Sequence, residues 1–275
     1  MTNGRLRTSG HRLIVVLVCL CAIAPVAWMA LSSLTPSTEL ARSEGPLLPT
    51  HLTIQHFSAL YGTTAFGRQL LNTVAIVLGT LLVVIPLSTT AAYSLSRFDY
   101  RGKNALARAT LVAYMFAPIM LVVPIFALFR RFGLTDSHIG LVLASTTFSL
   151  PLAIWLLRGF FVGIPISLEE AGLVDGANRM QVLVFIVVPA AFPGIIAAAT
   201  FTLIQVFNEY LFARVLISTS TRKTATVGLQ DLATTGTDWG MVMAAATSMT
   251  VPALIFYVFV QRYLIAGWGS GGVKG

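Results

Sequence analysis

The run LLNTVAIVLGTLLVVIPLSTTAAYSL, residues 70–95, holds no Asp, Glu, Lys or Arg in its 26 positions. A helix that crosses a bilayer needs about 20 predominantly apolar residues, so this run reads as a membrane span. Working outward from it, five further stretches qualify, at about 13–34, 105–129, 139–160, 187–212 and 241–265. The expected fold class is therefore all-α, a polytopic membrane protein with six transmembrane helices in one domain over 1–275.

Composition points the same way. Hydrophobic residues make up 56% of the 275 and charged residues only 10%, against about 45–50% and 25% in soluble domains. The mean hydropathy is +0.83. The net charge of +8 does not argue for nucleic acid, because the cations sit in short loops between apolar runs, as membrane topology requires. With the N-terminus inside, 11 Lys and Arg fall on the inner side and 7 on the outer. That bias predicts both termini in the cytoplasm, although Arg130 and Arg131 on the outside run against it. The first run follows Arg5, Arg7 and Arg12, as a signal peptide would. Its length, with Pro25 and Trp28 inside and no A-x-A site, favours an uncleaved anchor.

Cys19 and Cys21 lie two apart in the first run, on different sides of a helix, and read as lipid-facing or packing residues. His11, His51, His56 and His138 show no metal-ligand spacing, so no metal is expected. Each span contains or borders a proline (Pro25, Pro86, Pro118, Pro124, Pro151, Pro189, Pro193 or Pro252). Bilayer bundles tolerate the resulting kinks, and fixed kinks that shape packing are the expectation for most. The outer loop at about 35–69 predicts a short helix within 51–61. The outer loop at about 213–240 reads as polar and rich in Thr and Gly.

The segment at about 163–188, on the inner side between spans four and five, is the most informative. Ser167 and Glu170 have capping-box spacing after Pro165, which predicts a short helix. Leu168, Ala171, Gly172 and Asp175 fall on one side, with Ala171 and Gly172 small enough for a partner to approach closely. Gly176 ends the helix, and a second amphipathic piece starts near Ala177. A helix that merely lies on lipid is usually rich in Lys and Arg. Here Glu169, Glu170 and Asp175 face only Arg179, so docking on another protein fits better.

The pattern Glu170-Ala171-Gly172-x3-Gly176-x9-Ile186-x-Val188-Pro189 resembles the EAA motif of ABC importer permeases, E-A-A-x3-G-x9-I-x-L-P. Gly172 replaces the second Ala and Val188 replaces Leu. Residues 91–103 (AAYSLSRFDYRGK), 133–140 (GLTDSHIG) and 261–275 (QRYLIAGWGSGGVKG) are similar to stretches of the carbohydrate branch, in particular the maltose-type second permease. Asn208-Glu209 resembles its W-N-[DE] motif, with Phe207 in place of Trp.

The resemblance implies a type I ABC importer permease for sugar, in the bacterial plasma (inner) membrane, forming half of the translocation pathway. It implies a second permease subunit in a heterodimer, two copies of an ATPase subunit and an extracellular solute-binding protein, besides lipid. Glu169, Glu170, Ala171, Gly172, Asp175 and Gly176 are the expected coupling residues. No G-x-x-x-x-G-K-[ST] phosphate loop is present, so ATP and Mg belong to the partner ATPase, with no cofactor in this chain and no enzyme activity of its own. By the same resemblance, the tail at 267–275 reaches between the ATPase subunits, unless it is a frayed terminus.

A sugar needs amide, hydroxyl, carboxyl and aromatic partners, and polar groups inside a membrane are functional by default. Asn72, Tyr114, Gln205, Phe207, Asn208 and Glu209 are the candidate path residues, with Asn208-Glu209 foremost. Thr73, Thr146, Thr147 and Trp155 also qualify, but Thr hydroxyls more often serve helix packing. The resemblance also leaves open a path lined mainly by the other permease. Two rivals remain: an importer of glycerol-3-phosphate or another polyol, which calls for cations in the spans, and a secondary transporter acting alone, which calls for ionisable groups at mid-span.

Overall fold

The computed structural model describes the backbone of residues 3–40, 49–236 and 238–271, and the side chains of 14–40, 49–236 and 238–261. The tail read at 267–275 lies outside the described side chains. The described residues contain helices and no strand. In order they are α1 (Asn3–Ser33), α2 (Ser37–Leu40), α3 (Gln55–Thr63), α4 (Phe66–Arg97), α5 (Lys103–Met115), α6 (Pro118–Arg131), α7 (His138–Val162), α8 (Ile166–Val174) and α9 (Arg179–Val182). A π-helical turn, Leu183–Val187, leads to α10 (Val188–Ala190), α11 (Phe192–Phe207), α12 (Leu211–Leu216), α13 (Ala225–Thr234) and α14 (Trp239–Gly271).

Among the described residues, four helical stretches are long and apolar enough to cross a membrane: Ile14–Ser33, Phe66–Arg97, His138–Val162 and Trp239–Gln261. Two bent pairs raise the number to six if each counts as one span. Lys103–Met115 and Pro118–Arg131 meet at 98°, and Arg179–Ala190 and Phe192–Phe207 at 79°. The third and fifth spans expected from the sequence are therefore broken rather than continuous. At the first break Phe116 and Ala117 are extended before Pro118, the conformation that a following proline imposes. Pro193 sits in the first turn of α11, just after the break at Ala191, where its missing N–H is harmless. Pro25, Pro86, Pro124, Pro151 and Pro252 stay inside helices. The stretch at 213–240 is not a plain loop but carries most of α12 and all of α13.

Contacts divide the chain into two compact units. One comprises Met1–Gly67 and Gly228–Leu254. Within it, α1 is exposed from Ile14 to Trp28, Cys19 and Cys21 included. Water does not tolerate such a helix, and lipid or a partner does. The α3 helix confirms the one expected near residues 51–61. Its His56 is a buried structural residue: Nε2 donates to the Thr35 carbonyl at 2.8 Å, and Nδ1 lies 3.4 Å from Asp238.

The other unit comprises Arg68–Val227 and Ile255–Gly275. Here α7 packs along α11 and α5, and α4 runs past two apolar clusters. Ile76 and Val77 join Phe129, Leu141, Val206 and Phe212 in one. Val84, Ala92 and Tyr93 join Leu157, Phe161, Val182 and Val187 in the other. Hydroxyls within the spans mostly bond back to their own helix: Thr73 to Gln69, Thr80 to Ile76, Thr147 to Leu143 and Thr200 to Ile196. This is the packing role expected for threonine.

The 133–140 stretch has a clear structural task. Asp136 sits at φ 51, a left-handed conformation that Asp tolerates when its short side chain bonds locally. Its carboxylate accepts from the Thr219 hydroxyl (2.6 Å) and from the backbone N–H of Thr219 (2.9 Å) and Ser218 (3.0 Å). Arg222 lies 3.3 Å away, and His138 Nε2 donates to the Arg222 carbonyl at 2.9 Å. The Thr219 hydroxyl, then its N–H, with help from Ser218 and Arg222, holds the Asp136 carboxyl down at about 2, against 3.8. A depressed carboxyl contributes stability that is present above its unfolded value and lost as pH falls through its folded value. The clip is thus intact at neutral pH and opens between about pH 4 and 2. Asp136→Ala is expected to speed tryptic cleavage at Arg222 and Lys223 in detergent at pH 7 several-fold; unchanged cleavage counts against the clip.

Candidate functional site

The segment between α7 and α11 forms a helix, a glycine turn and a second helix, as its sequence suggests, but its local bonds differ. The N-cap of α8 is Pro165 and makes no side-chain cap bond, so the Ser167–Glu170 capping box does not form. Ser167 and Glu170 are both exposed. With the helix starting at Ile166, Ser167 is already inside the first turn, where its hydroxyl cannot reach back as a cap. The capping box in this segment belongs to α9. Asn178 Oδ1 accepts from the Gln181 N–H (2.9 Å), and Gln181 Oε1 accepts from the Asn178 N–H (2.8 Å).

Gly176 closes α8. Its φ of +88° is one that side chains other than Gly adopt at a cost. Its N–H donates to the Leu173 carbonyl (3.1 Å) while the Ala177 N–H donates to the Gly172 carbonyl (3.0 Å), the paired bonds of a Schellman end.

The α8 helix has two faces. Glu169 and Gly172 are buried, whereas Glu170, Ala171, Val174 and Asp175 are exposed. Gly172 therefore does not make room for a partner, as its small size suggested, but seats α8 on its own chain. A Cβ there would lie 2.3 Å from Ile186 Cδ1 and 3.5 Å from Val182 Cγ2. This links the motif's two ends: Ile186 fills the space a second Ala would take. Gly172→Ala is expected to be nearly neutral. It adds about 1 kcal/mol of helix propensity and displaces only the end of a flexible side chain, at about 0.5–1.5 kcal/mol. Uptake near the wild-type rate checks this.

Glu169 is held from α4. Arg97 Nε donates to Glu169 Oε1, the Tyr93 hydroxyl donates to Oε2 (3.1 Å), and Arg97 Nη2 donates to the Ile164 carbonyl (2.8 Å). The Arg97 and Glu169 side chains are 7% and 2% exposed, so this is a dehydrated pair rather than a surface one. Tyr93 is fixed edge-on by Phe98 and Phe161. By its place in the sequence Arg97 is simply an inner-loop cation, and nothing there joins it to a carboxylate 72 positions on. The 91–103 stretch and the EAA stretch are thus two halves of one contact.

The outward face is apolar and acidic. Val174 is 88% exposed, Ile166 57% and Leu168 48%, with Glu170 and Asp175 beside them. Nothing in the described chain covers it.

The candidate path residues separate. Asn72 is buried and donates from Nδ2 to the carbonyls of Thr221 (2.9 Å) and Lys223 (3.0 Å), so its amide hydrogens are engaged with the chain itself. Glu209 accepts from the Phe212 N–H (2.7 Å), capping α12, and its carbonyl accepts from the Thr226 hydroxyl (2.8 Å). Asn208 Nδ2 donates to the Ile204 carbonyl at 2.8 Å, at the end of α11. Asn72 and Glu209 therefore both brace the stretch 221–226. Phe207 packs on the cluster around Phe212. Gln205 is half-buried on α11 and Tyr114 exposed beside the α5–α6 break. Neither joins that bracing network.

Comparison with known proteins yields concordant similarities. Residues 84–268 match the family described as binding-protein-dependent transport system inner membrane component. The chain is 36% identical over 259 residues to the trehalose transport system permease protein SugB of Mycobacterium tuberculosis, covering 92% of this chain and 93% of that one. It is 28% identical over 264 residues to the trehalose/maltose transport system permease protein MalG of Thermococcus litoralis, covering 94% of each. Its fold is similar to a chain in the crystal structure of a bacterial ABC transporter involved in the import of the acidic polysaccharide alginate. The TM-score there is 0.80 at 23% identity, over 96% of this chain and 98% of that one.

Proposed function

This chain belongs to the family of binding-protein-dependent transport system inner membrane components, and from that premise we propose a sugar importer in which it couples to a separate ATPase through α8. The chain is a transport permease of the multi-pass membrane class, of the kind that serves carbohydrate ABC importers. Membership sets aside the secondary transporter acting alone. Relatives named for trehalose and maltose transport support a neutral di- or oligosaccharide rather than glycerol-3-phosphate.

The carrying observation is the two-faced α8. A valine 88% exposed on a helix otherwise anchored by a buried ion pair is an apolar surface waiting for a cleft. The finer reading is six spans with both bent pairs crossing, and both termini in the cytoplasm. This subunit pairs with a second permease and two ATPase copies, which hold ATP and Mg, and a solute-binding protein delivers sugar from outside. Glu170, Ala171, Val174 and Asp175 meet the ATPase, while Glu169, Gly172 and Gly176 set the pose of that face.

Cysteines at Ala171 and Asp175 in the assembled importer test this. Crosslinks to the ATPase subunit are expected. Failure to capture it, or labelling of both positions only from outside the cell, removes the reading. The ligand held by the cognate binding protein identifies the sugar.

A further inference from the structure

We propose that α4 is a mechanical tie joining the coupling helix α8, at one end, to the 220–225 stretch, at the other. The proposal rests on the importer reading above and concerns how one end of the chain senses the other.

At one end, Tyr93 and Arg97 stand four residues apart on the last turn of α4 and grip Glu169, and Arg97 also bonds the Ile164 carbonyl ahead of α8. The planar guanidinium offers two separate nitrogens in a fixed fork to the two acceptors, where a lysine has a single one. At the other end, three buried side chains of α4 take hold of one short stretch. Gln69 Nε2 donates to the Ser220 carbonyl (3.2 Å), and Asn72 Nδ2 to those of Thr221 and Lys223 (2.9 and 3.0 Å). Thr73 Oγ1 accepts from the Ala225 N–H (2.9 Å). Asp136 also holds this stretch, since Arg222 Nη1 donates to its carbonyl (2.6 Å) and lies 3.3 Å from its carboxylate, which grips the adjoining Thr219 as well.

Between the two grips runs one continuous helix. From Gln69 to Arg97 it spans about 42 Å at 1.5 Å per residue. The Thr90 hydroxyl donates to the Pro86 carbonyl at 3.0 Å, and Gly79 brings α4 against Val142 of α7, where a Cβ would lie 3.2 Å from Cγ2. Stability alone is a poor reason for the Arg97–Glu169 pair, because dehydrating two charges offsets most of their attraction. Holding two elements in a set relation is the better account. The stretch at 218–223, Ser-Thr-Ser-Thr-Arg-Lys, is exposed from Ser218 to Arg222. A push on it is thereby handed to α8 without passing through the α5–α6 or α10–α11 breaks.

The test is a double-mutant cycle in the complete reconstituted importer. The readout is the ratio of ATP hydrolysis with ligand-loaded binding protein to hydrolysis without it. Asn72→Leu and Arg97→Lys are each expected to lower this ratio several-fold. The double variant is expected to be no worse than the more severe single, departing from the product of the two by more than about threefold. Sites this far apart and independent combine to within about twofold. A double variant equal to the product of the singles overturns the tie while leaving the importer reading in place. A wild-type complex whose hydrolysis does not respond to loaded binding protein overturns both. If Arg97→Lys does not assemble, Tyr93→Phe with Thr73→Val removes one bond between elements at each end, and the same criterion applies.

Discussion

Glu169→Ala is expected to deplete the membrane of folded protein, with the thermal unfolding midpoint in detergent falling by many degrees. Removing the carboxylate leaves the Arg97 guanidinium, only 7% exposed, without its counter-charge. Breaking a buried pair from one side costs about 3–5 kcal/mol, a large part of the stability of an ordinary domain. The Tyr93 hydroxyl loses its acceptor in the same step. Replacing both charges at once, Arg97→Met with Glu169→Leu, should restore most of the midpoint, since well-packed apolar residues can stand in for a buried pair. A midpoint for Glu169→Ala within a degree or two of wild type would mean that water reaches the pair.

The neighbouring carboxylate is expected to behave in the opposite way. Glu170 is exposed and forms no ion pair among the described residues. Glu170→Arg should therefore leave protein level and unfolding midpoint unchanged, as surface substitutions do within about 0.5 kcal/mol. Transport should nevertheless stop. A reversed charge at a docking face costs several kcal/mol, which corresponds to a loss in uptake on the order of a hundredfold or more. Uptake and binding-protein-stimulated ATP hydrolysis, each scaled to protein in the membrane, are the measurements. Normal uptake by Glu170→Arg would show that this face of α8 does not meet the ATPase. The contrast between two adjacent glutamates is the sharpest consequence of the α8 geometry, because they differ only by the 100° that separates neighbours on a helix.

Much of the architecture was legible in the residues. Long runs without charge announce helices in lipid because only helices and closed β-barrels satisfy the backbone there, and barrel strands are short and alternate in polarity. Gly176 marked a helix end, and a pattern extending from Glu170 to Pro189 pointed to the family. The breaks were harder to read. Pro118 and Pro193 start new helices while Pro86 and Pro151 ride inside old ones, and proline looks the same in both settings. What differs is whether the preceding residues leave the helix, as Phe116 and Ala117 do by turning extended and Ala191 does at φ −89 and ψ 6, which depends on packing around them. The capping box was misplaced for a related reason: Ser167 and Glu170 have the right spacing, but α8 begins two residues too early for Ser167 to act as a cap, and Asn178 with Gln181 takes the role for α9 instead.

Site residues divided along the same line. Asn72, Asn208 and Glu209 were recognisable as polar groups in apolar surroundings, which makes them notable without saying what they bind. Tertiary structure turned them toward backbone groups of the chain itself. Arg97 counted only as one more inner cation, and Glu169 only as one of an acidic pair.

By itself, then, the sequence determined the solvent, the helical class and the family, and singled out the segment proposed to meet the ATPase, since each follows from composition or from spacing along one helix. Which face of α8 turns inward, which proline breaks a span and which carboxylate finds the guanidinium were decided only in the folded chain. Those depend on contacts between residues far apart in sequence, and the dehydration that gives such contacts their strength exists only after the helices have packed.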